Sequence, residues 1–411
     1  MKKKIGIIGF GEMGKRHARE FCESSKGRID VSGVVEPDDD MYRRGCEWNH
    51  RDNIPRYSTI PELLEKGQPD GIIISSPNFM HLENLKQLKG QNIPVLLEKP
   101  LDTSLEKIAE IVRFSREYAA PIVVDHVMRY APIIRKAREL IASNRLGKIC
   151  SFQFSQRHSI SMFHTFRRTR SGGGGHIIEK ATHDLDVMLY LTGAKPLEVS
   201  MVSRQQVVGG NLPDDLTCPK CPQKISCRYA ANTGEDMSNS RVKEIPAYKS
   251  LCVFAKSVDV PDNEVCTIVL SDNIFGTYSH TYFCKMPGHA RDYEIIGTEG
   301  ALTIKLSKKD RDAGEIELFP YDERNTIEKY EFEYCSKIHY CGGPFVVKHF
   351  YDLMCGLETK PFTTVEQAFT AELLGFAAMR SVKESNRFVD LDEMVPADLR
   401  DAVRGERSCK Q

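Results

Sequence analysis

Residues 4–24 read KIGIIGFGEMGKRHAREFCES. The first six of these residues predict a short buried strand, and the last twelve predict a helix. The turn between the two elements matches a G-x-G-x-x-G pattern and consists of Gly9, Phe10, Gly11, Glu12, Met13 and Gly14. A glycine turn that directly follows a strand and opens a helix predicts a dinucleotide-binding βαβ unit.

The three glycines of this turn have distinct physical roles. One permits the tight turn, one lets the backbone approach a pyrophosphate, and one lets helix and strand pack closely. The pyrophosphate would lie against the unpaired N–H groups at the helix N-terminus. Glu36 ends the second predicted strand, 22 residues after Gly14, where a carboxylate accepts bonds from ribose hydroxyls and repels a 2′-phosphate. The pattern favours NAD over NADP; the alternative is an ordinary turn with Glu36 at a solvated strand end.

The composition argues against several classes of protein. A chain of 411 residues with 41% hydrophobic and 28% charged residues is typical of a globular protein of two or three domains. Lys plus Arg and Asp plus Glu both number 57, so no net field attracts nucleic acid or an acidic membrane. No apolar run approaches the roughly 20 residues of a membrane span, and the basic start lacks a signal-peptide pattern. We therefore expect a cytoplasmic protein that binds neither nucleic acid nor membrane.

Two patterns of secondary structure divide the chain. Up to residue 125, short apolar runs alternate with helical patterns, which predicts a parallel sheet and a Rossmann domain over residues 1–125. Residues 126–411 predict an α+β domain with a large, mostly antiparallel open sheet, since long strand-like segments lie next to one another. Its predicted strands are Cys150–His158, Leu197–Val208, Leu251–Val260, Val265–Leu270, Gly276–Phe283, Tyr293–Gly297, Ala301–Leu306 and Glu315–Phe319. Its predicted helices are Ile177–Leu191 and two further helices within Phe345–Glu384.

A cysteine cluster stands out within residues 209–247, a segment rich in Pro, Asn, Asp and Cys that predicts an insertion. Cys218, Cys221 and Cys227 have the close first spacing of a zinc knuckle. A closed structural zinc site needs four ligands, and Cys252, a histidine or a residue of a partner chain could supply the fourth. Unligated reduced thiols, a redox pair and an iron–sulfur site remain alternatives.

Several further motifs are shared with a known family. They are Ser76-Pro77-Asn78 with His81, Glu98-Lys99-Pro100, the run Gly172–Gly175 with Glu179 and His183, and Tyr293-Glu294-Ile295-Ile296-Gly297-Thr298-Glu299-Gly300. Together with the glycine turn, they resemble the Gfo/Idh/MocA oxidoreductases, which include glucose–fructose oxidoreductase and inositol 2-dehydrogenase. The resemblance covers nearly the whole chain except the insertion.

The resemblance carries expectations about chemistry and assembly. Such enzymes oxidise or reduce a ring hydroxyl or carbonyl of a sugar or cyclitol with NAD(P), and their open sheet often forms an oligomer interface. We therefore expect a small polyhydroxylated substrate and a homodimer or homotetramer. The resemblance places Ser76, Pro77, Asn78, His81 and Glu98 at the cofactor, and Lys99 between the nicotinamide ribose and the substrate.

The resemblance also assigns substrate contacts. Arg129 and Tyr130 are expected at the substrate by analogy with the family. Glu179 stands where the family usually has aspartate, four residues before a histidine, which leaves the division of proton transfer between Glu179 and His183 open.

The residues themselves support an acid–base role. Glu179 and His183 are four apart on a predicted helix, so the carboxylate would stack beside the imidazole and orient it. His183 could then take the hydroxyl proton in oxidation, while Lys99 binds the same hydroxyl. The alternative is that His183 packs within its helix and Lys99 is solvated. His158 and Arg167 could bind further hydroxyls.

Three functions are compatible with these observations. The first is an NAD(P)-dependent sugar or cyclitol dehydrogenase. The second is an NAD-dependent glycosidase that oxidises a ring hydroxyl, eliminates the aglycone and reduces the ring again, with no net NADH. The third is a non-catalytic sensor that has kept the dinucleotide fold, against which the presence of Lys99 and His183 argues.

Overall fold

The computed structural model describes residues 2–51, 53–231, 250–284, 290–307, 313–322, 326–334 and 338–404. The strands of these residues are β1 (Lys3–Ile8), β2 (Ile29–Val35), β3 (Arg56–Tyr57), β4 (Gly71–Ile74), β5 (Val95–Leu97), β6 (Ile122–Val124), β7 (Ile149–Arg157), β8 (Pro196–Arg204), β9 (Asn263–Leu270), β10 (Phe275–Thr281), β11 (Ala290–Gly297), β12 (Gly300–Lys305), β13 (Ala313–Pro320), β14 (Glu328–Glu333) and β15 (Val389–Asp390). The helices are α1 (Glu12–Ser24), α2 (Asp39–Trp48), α3 (Ile60–Glu62), α4 (His81–Lys86), α5 (Leu105–Glu117), α6 (Pro132–Ala142), α7 (Arg170–Gly173), α8 (His176–Glu179), α9 (Thr182–Thr192), α10 (Gly343–Met354), α11 (Val365–Lys383) and α12 (Arg400–Arg404).

The chain divides into two compact units. The first unit comprises Met1–Arg135, Cys335–Leu373 and Val395–Gln411, and the second comprises Lys136–Tyr334 and Leu374–Met394. This division differs from the predicted boundary at residue 125, because α10 packs within the first unit. There the ring of Phe350 lies 5.8 Å from that of Phe21 on α1, edge to face.

The first unit contains a parallel sheet with the strand order β3-β2-β1-β4-β5-β6. Strands β1, β4 and β5 are almost wholly buried, as expected of a parallel sheet covered on both faces. The predicted Rossmann arrangement is confirmed. The sequence pattern missed α2, whose residues are mostly polar and whose first turn is capped by the Asp38 side chain accepting from the Met41 amide.

The second unit contains a sheet with the order β14-β13-β12-β11-β7-β10-β9-β8-β15. Its pairs are antiparallel except β7 with β10, which is parallel. The mostly antiparallel sheet predicted from the sequence is confirmed. Phe154 on β7 and Tyr293 on β11 stack across the sheet with ring centroids 4.1 Å apart, so cross-strand aromatic packing stabilises the register.

The strand predicted over Leu251–Val260 is wrong. These residues form turns, with isolated bridges from Leu251 to Thr217 and from Ala255 to Leu212. The apolar residues of this stretch are buried in a small separate cluster with Phe163 and Tyr282; they are Val253, Ala255, Val258 and Val260. Their burial alternates along the chain as it does in a strand, although these residues do not pair in a continuous hydrogen-bonded ladder.

The helix predicted over Ile177–Leu191 is not continuous. It breaks at Lys180 and Ala181, whose amides both donate to the His176 carbonyl, and resumes as α9. Glu179 is the last residue of α8, and His183 lies in the first turn of α9. The expectation that the two side chains stack on one face of a single helix is therefore wrong.

Replacing Phe350 with alanine tests the packing of α10 within the first unit. Phe350 is buried in the core beside Phe21, and loss of such a ring costs about 3–5 kcal/mol. We expect a correspondingly lower free energy of unfolding in denaturant titrations. Phe345→Ala, a more exposed position on the same helix, is the control, and equal losses for the two variants would contradict the packing described.

Candidate active site

The glycine turn after β1 leaves one position open to a ligand. Gly9 has a φ of +85°, and a Cβ there would lie 2.6 Å from the Ser76 backbone. A Cβ on Gly14 would lie 2.1 Å from the Gly9 carbonyl oxygen, so this glycine lets α1 pack against the turn. A Cβ on Gly11, the residue that precedes α1, would meet nothing within 4 Å. The backbone at Gly11 therefore faces open space at the helix N-terminus, which suits an anionic group.

The Glu36 carboxylate is fixed at this turn. Its Oε2 accepts a hydrogen bond from the Phe10 amide at 2.7 Å, and its Oε1 accepts one from the Asp38 amide at 3.0 Å. A carboxylate has about four acceptor positions, so both oxygens retain capacity for a hydroxyl donor. Glu36 lies one residue after β2, at the end of the strand where the sequence placed it.

His81 connects the segment after β4 to the segment after β5. Its Nδ1 lies 3.0 Å from the Leu101 carbonyl oxygen, and its Nε2 lies 3.1 Å from the Ser76 carbonyl oxygen. The Asn84 amide group donates to Ser76 Oγ at 2.7 Å. Near them, Asn78 is buried and Pro77 is exposed. The ring of His81 thus fixes the backbone of the Ser-Pro-Asn motif.

A buried charged cluster holds the Glu-Lys-Pro segment. Glu98 Oε1 lies 2.8 Å from His17 Nε2, and Asp125 Oδ2 lies 3.7 Å from the same nitrogen. The Lys99 amide donates to Glu98 Oε2 at 3.2 Å, while the Lys99 side chain is partly exposed. The peptide bond between Lys99 and Pro100 is cis.

The protonation of this cluster follows from burial and mutual charge. Burial would lower the pKa of His17, but the hydrogen bond and charge of Glu98 outweigh it and raise that pKa to about 9. Burial would raise the pKa of Glu98, but the hydrogen bond from His17 outweighs it and lowers that pKa to about 2. Burial and the charge of Glu98 raise the pKa of Asp125 to about 8. At pH 7 the cluster therefore holds an imidazolium, a carboxylate and a neutral carboxylic acid.

A second buried acid supports the same segment. Glu372 on α11 accepts the Leu101 amide at 2.8 Å through Oε1, and burial raises its pKa well above the usual value. Sequence reasoning missed Glu372, His17 and Asp125. For His17 a signal existed, because it shares the inner face of α1 with Gly14, Ala18 and Phe21.

Arg129 and Tyr130 are both buried in the first unit. Arg129 Nη1 donates to Gln367 Oε1 at 2.9 Å. The Tyr130 hydroxyl lies 2.8 Å from His349 Nδ1, and the ring belongs to the apolar core. These surroundings favour packing for Tyr130, and substrate contact by the two residues stays a prediction.

In the second unit, Arg167 and Glu179 form an ion pair, with Arg167 Nε 2.6 Å from Glu179 Oε1. Glu179 is buried, whereas Arg167 is partly exposed. The glycine run between them includes two helix caps: Gly174 caps the C-terminus of α7 with a φ of +76°, and Gly175 precedes α8 with a φ of +100°. The pair thus joins the loop before the run to the helix after it.

Two predicted site histidines also lie in the second unit. His183 is buried, with a relative exposure of 2%. The next residue, Asp184, is fully buried and pairs with Arg291 Nε at 2.9 Å. The Tyr293 hydroxyl donates to the same carboxylate, so α9 is fastened to β11 beside His183. His158 follows β7 and stacks on the ring of Tyr282 at 5.5 Å.

Comparison with known proteins extends over both units. The profile of the oxidoreductase family with an NAD-binding Rossmann fold matches residues 3–126, and the profile of the GFO/IDH/MocA C-terminal domain matches residues 134–303. The chain belongs to the Gfo/Idh/MocA oxidoreductase family. The predicted family and the NAD-binding class of its first domain are confirmed. No helix in the described parts of this family member is long and apolar enough to cross a membrane.

Individual Gfo/Idh/MocA relatives are distant. The rhizopine catabolism protein MocA of Rhizobium meliloti is 25% identical over 52% of this chain and 64% of its own length. The 2,7-anhydro-N-acetylneuraminate hydratase of Mediterraneibacter gnavus is 26% identical over 51% of this chain and 54% of its own length. The chain therefore spans less than two thirds of either relative.

A solved structure shows the same fold. The scyllo-inositol dehydrogenase of Lactobacillus casei, with bound NAD(H) and scyllo-inositol, superposes with a TM-score of 0.69. The superposition covers 95% of this chain and 100% of that chain at 15% sequence identity. At this identity the likeness concerns the fold alone.

The His17–Glu98 pair predicts how folding stability depends on pH. The raised pKa of His17 stabilises the folded chain fully below pH 6.5, and this contribution is lost as the pH rises to about 9. The raised pKa of Asp125 likewise makes the folding stability fall as the pH rises from 3.8 to about 8. The contribution of Glu98 is present above pH 4.5 and is lost only as the pH falls towards 2. We therefore expect stability to fall between pH 6.5 and 9.

Glu98→Gln should remove most of this slope and lower stability at pH 6.5 by about 3 kcal/mol, since the charge that keeps His17 protonated is gone. The free energy of unfolding across this pH range is the measurement. Glu83→Gln, in an exposed ion pair with Lys86, is the control. An unchanged slope in Glu98→Gln would contradict the proposed protonation.

Proposed function

We propose that this chain is an NAD-dependent oxidoreductase that transfers hydride between nicotinamide and a ring hydroxyl or carbonyl of a sugar, sugar derivative or cyclitol. The observation that carries the proposal is the open backbone at Gly11, at the start of α1, beside the fixed Glu36 carboxylate. Residues 1–125 bind the dinucleotide, and residues 126–411 bind the substrate and form the oligomer contacts.

The cofactor would be held by the first unit. The turn from Gly9 to Gly14 binds the pyrophosphate through backbone amides, and Glu36 accepts the adenosine ribose hydroxyls. The buried negative charge of Glu36 disfavours a 2′-phosphate, which is why we propose NAD rather than NADP. Ser76, Pro77, Asn78 and His81 support the cofactor beside the turn, and NAD supplies the hydride acceptor when bound.

Lys99 would bind the reacting hydroxyl and stabilise the negative charge that develops as its proton leaves. A lysine is suited to this role because its ammonium group is a compact charge with three donors. Glu98 and His17 position it: their ion pair is buried, and Glu98 accepts the Lys99 amide. The role of these two residues is therefore to fix the backbone that carries Lys99.

His183 would accept the hydroxyl proton in oxidation and return it in reduction. Its backbone is fixed by the bonds of the neighbouring Asp184 to Arg291 and Tyr293. The Glu179 carboxylate is paired with Arg167, so Glu179 would orient Arg167 towards substrate hydroxyls rather than act as the base. His158 would contribute a further hydroxyl contact.

A redox-neutral reaction is a second candidate. The observation that favours it is the similarity to 2,7-anhydro-N-acetylneuraminate hydratase, whose named reaction, the addition of water, involves no net oxidation. In that case the chain would cleave a glycoside through transient oxidation of a ring hydroxyl by NAD, elimination of the aglycone, addition of water to the resulting double bond and re-reduction by the NADH formed in the first step. Lys99 and His183 would serve both half-reactions in the roles given above.

A substrate panel separates the two candidates. We expect a dehydrogenase to raise NADH absorbance with at least one polyol or cyclitol when NAD is supplied. A glycosidase of this type would instead release a glycone from a glycoside with no net NADH. If neither panel gives turnover while NAD binds, the result would contradict the proposed function and favour a non-catalytic sensor.

Lys99→Met should lower kcat by roughly 10²–10⁴-fold, because positioned proton transfer and charge stabilisation contribute about that much. The affinity for NAD should change little, which fluorescence titration of the nucleotide would check. The matched control is Lys89→Met, which changes an exposed lysine three residues after the end of α4. Unchanged turnover in Lys99→Met would refute the assignment.

Glu36→Ser should weaken NAD binding by about 10–100-fold, since bonds to a charged acceptor contribute about 1.5–3 kcal/mol. The affinity for NADP should hold or improve, because the repulsion of the 2′-phosphate is removed. Isothermal titration with both nucleotides measures the change in preference. Asp39→Ser, an exposed carboxylate nearby, controls for general charge, and equal weakening for both nucleotides would exclude the ribose contact.

A further inference from the structure

Four thiols line a single cavity in the second unit. Cys218, Cys221, Cys227 and Cys252 all contribute to its wall, together with His164. The cavity has a volume of about 20 Å³, which suits a single ion or water molecule. Cys252 is buried, the other three cysteines are partly buried, and none forms a disulfide. Three of these cysteines form a cluster in the sequence, and Cys252 is one of several candidates for a fourth ligand there.

The backbone brings Cys252 to the other three cysteines. An isolated antiparallel bridge joins Thr217 to Leu251. The Cys218 amide donates to the Ser250 carbonyl at 2.7 Å, and the Cys252 amide donates to the Leu216 carbonyl at 2.8 Å. Cys218 and Cys252 therefore lie on two neighbouring segments that the bridge aligns. The fold thus brings Cys252 next to Cys218, from which it is distant in sequence.

Cys221 and Cys227 reach the same cavity through a tight turn. A 3-10 turn spans Cys218–Lys220, and the Cys221 amide donates to the Cys218 carbonyl at 3.2 Å. Further on, the Cys227 amide donates to the Gln223 carbonyl at 2.8 Å. The Ala231 amide donates to the Cys218 sulfur at 3.4 Å, as backbone amides do at thiolate ligands.

His164 lies beside the thiols and is fixed there by a hydrogen bond to the backbone. Its Nδ1 lies 2.9 Å from the Leu251 carbonyl oxygen, to which it donates, and 4.0 Å from the Cys218 sulfur. A nitrogen that donates its proton to a carbonyl is not available to a metal. Nδ1 of His164 is therefore unavailable to a metal, and the four sulfurs that line the cavity suffice for a closed site without His164.

We propose that Cys218, Cys221, Cys227 and Cys252 bind one structural Zn²⁺ ion as a closed tetrathiolate site. Four ligands satisfy the tetrahedral preference of zinc, and thiolates are its usual structural ligands. On binding, the four thiols lose four protons to solvent, and four sulfur–zinc bonds form with no change of oxidation state. The small cavity favours one ion over an iron–sulfur cluster.

The sulfurs must approach one another as zinc binds. Among the described residues, His17, Glu98 and Asp125 form the group of three ligand atoms that all lie within 4.8 Å of one another, so no three of the four sulfurs are yet this close together. Zinc–sulfur bonds of about 2.3 Å place four sulfurs roughly 3.8 Å apart. Binding therefore tightens the two segments that the bridge aligns.

The gain in order would extend to the loop that carries Arg167. His164 bonds to Leu251, while Arg168 donates to the Cys252 carbonyl at 2.8 Å and to the Asp214 carbonyl at 2.6 Å. His164 and Arg168, on either side of Arg167, are thus hydrogen-bonded to the segments that carry the cysteines. Among the described residues these segments form isolated bridges rather than regular strands, and they pack on a small apolar cluster, so a metal cross-link would contribute much of their stability.

Metal analysis of the full chain, purified without added zinc or chelator, tests the site. We expect about one zinc per chain, and less than one tenth of that in Cys252→Ser and in Cys218→Ser. The matched control, Cys150→Ser, removes an exposed cysteine on β7 that does not line the cavity and should keep full zinc content. Iron with acid-labile sulfide, or a zinc ratio near zero in the wild type, would overturn the proposal.

A second measurement guards against variants that fail to fold. Wild-type protein stripped with a chelator should bind Co²⁺ with the strong visible absorption of a tetrahedral thiolate site, and Zn²⁺ should displace it one for one. Stripping should also lower the melting temperature, and zinc should restore it. Absence of thiolate-to-cobalt absorption in folded protein would refute the four-sulfur site. Turnover of the proposed substrates is not needed for any of these readouts.

Discussion

The close approach of α1 to the turn after β1 is the constraint on which the rest of the first unit depends. A side chain at Gly14 would collide with the Gly9 carbonyl, and one at Gly9 would collide with Ser76. Because both glycines lack a side chain, the backbones can make these two contacts. The N-terminus of α1 therefore lies beside the ends of the strands. The same contact brings His17, one turn into α1, within reach of Glu98 after β5.

The second unit is organised around different contacts. Its sheet is stabilised by aromatic stacking across β7 and β11, and its irregular segments are joined by polar groups such as Arg168 and line a cavity with four thiols. The catalytic proposals for Lys99 and His183 thus depend on supports of unlike kinds. The backbone of Lys99 is bonded to the buried ion pair of Glu98 and His17. His183 instead lies next to Asp184, whose carboxylate is bonded to β11.

The sequence predicted what is periodic and local. The parallel sheet, the glycine turn and the strand-end position of Glu36 followed from apolar runs and spacing. The predicted strand at Leu251–Val260 was wrong because burial in a small cluster produces the same alternation as burial in a sheet. The break between Glu179 and His183 was missed because apolar residues continue through it. Glu372 was missed and Cys252 stayed one of several candidates for a fourth ligand, since their partners are distant in sequence and only the fold brings them near.

The packing of α10 in the first unit has a consequence for synthesis of the chain. Phe21 and Phe350 are about 330 residues apart and share one core. The N-terminal strands leave the ribosome early and cover part of the apolar face of α1, but the part that packs against α10 stays uncovered until α10 has been translated. Folding that proceeds from the N-terminus during translation must therefore pause with this face exposed, and a chaperone that binds apolar segments has its natural target there.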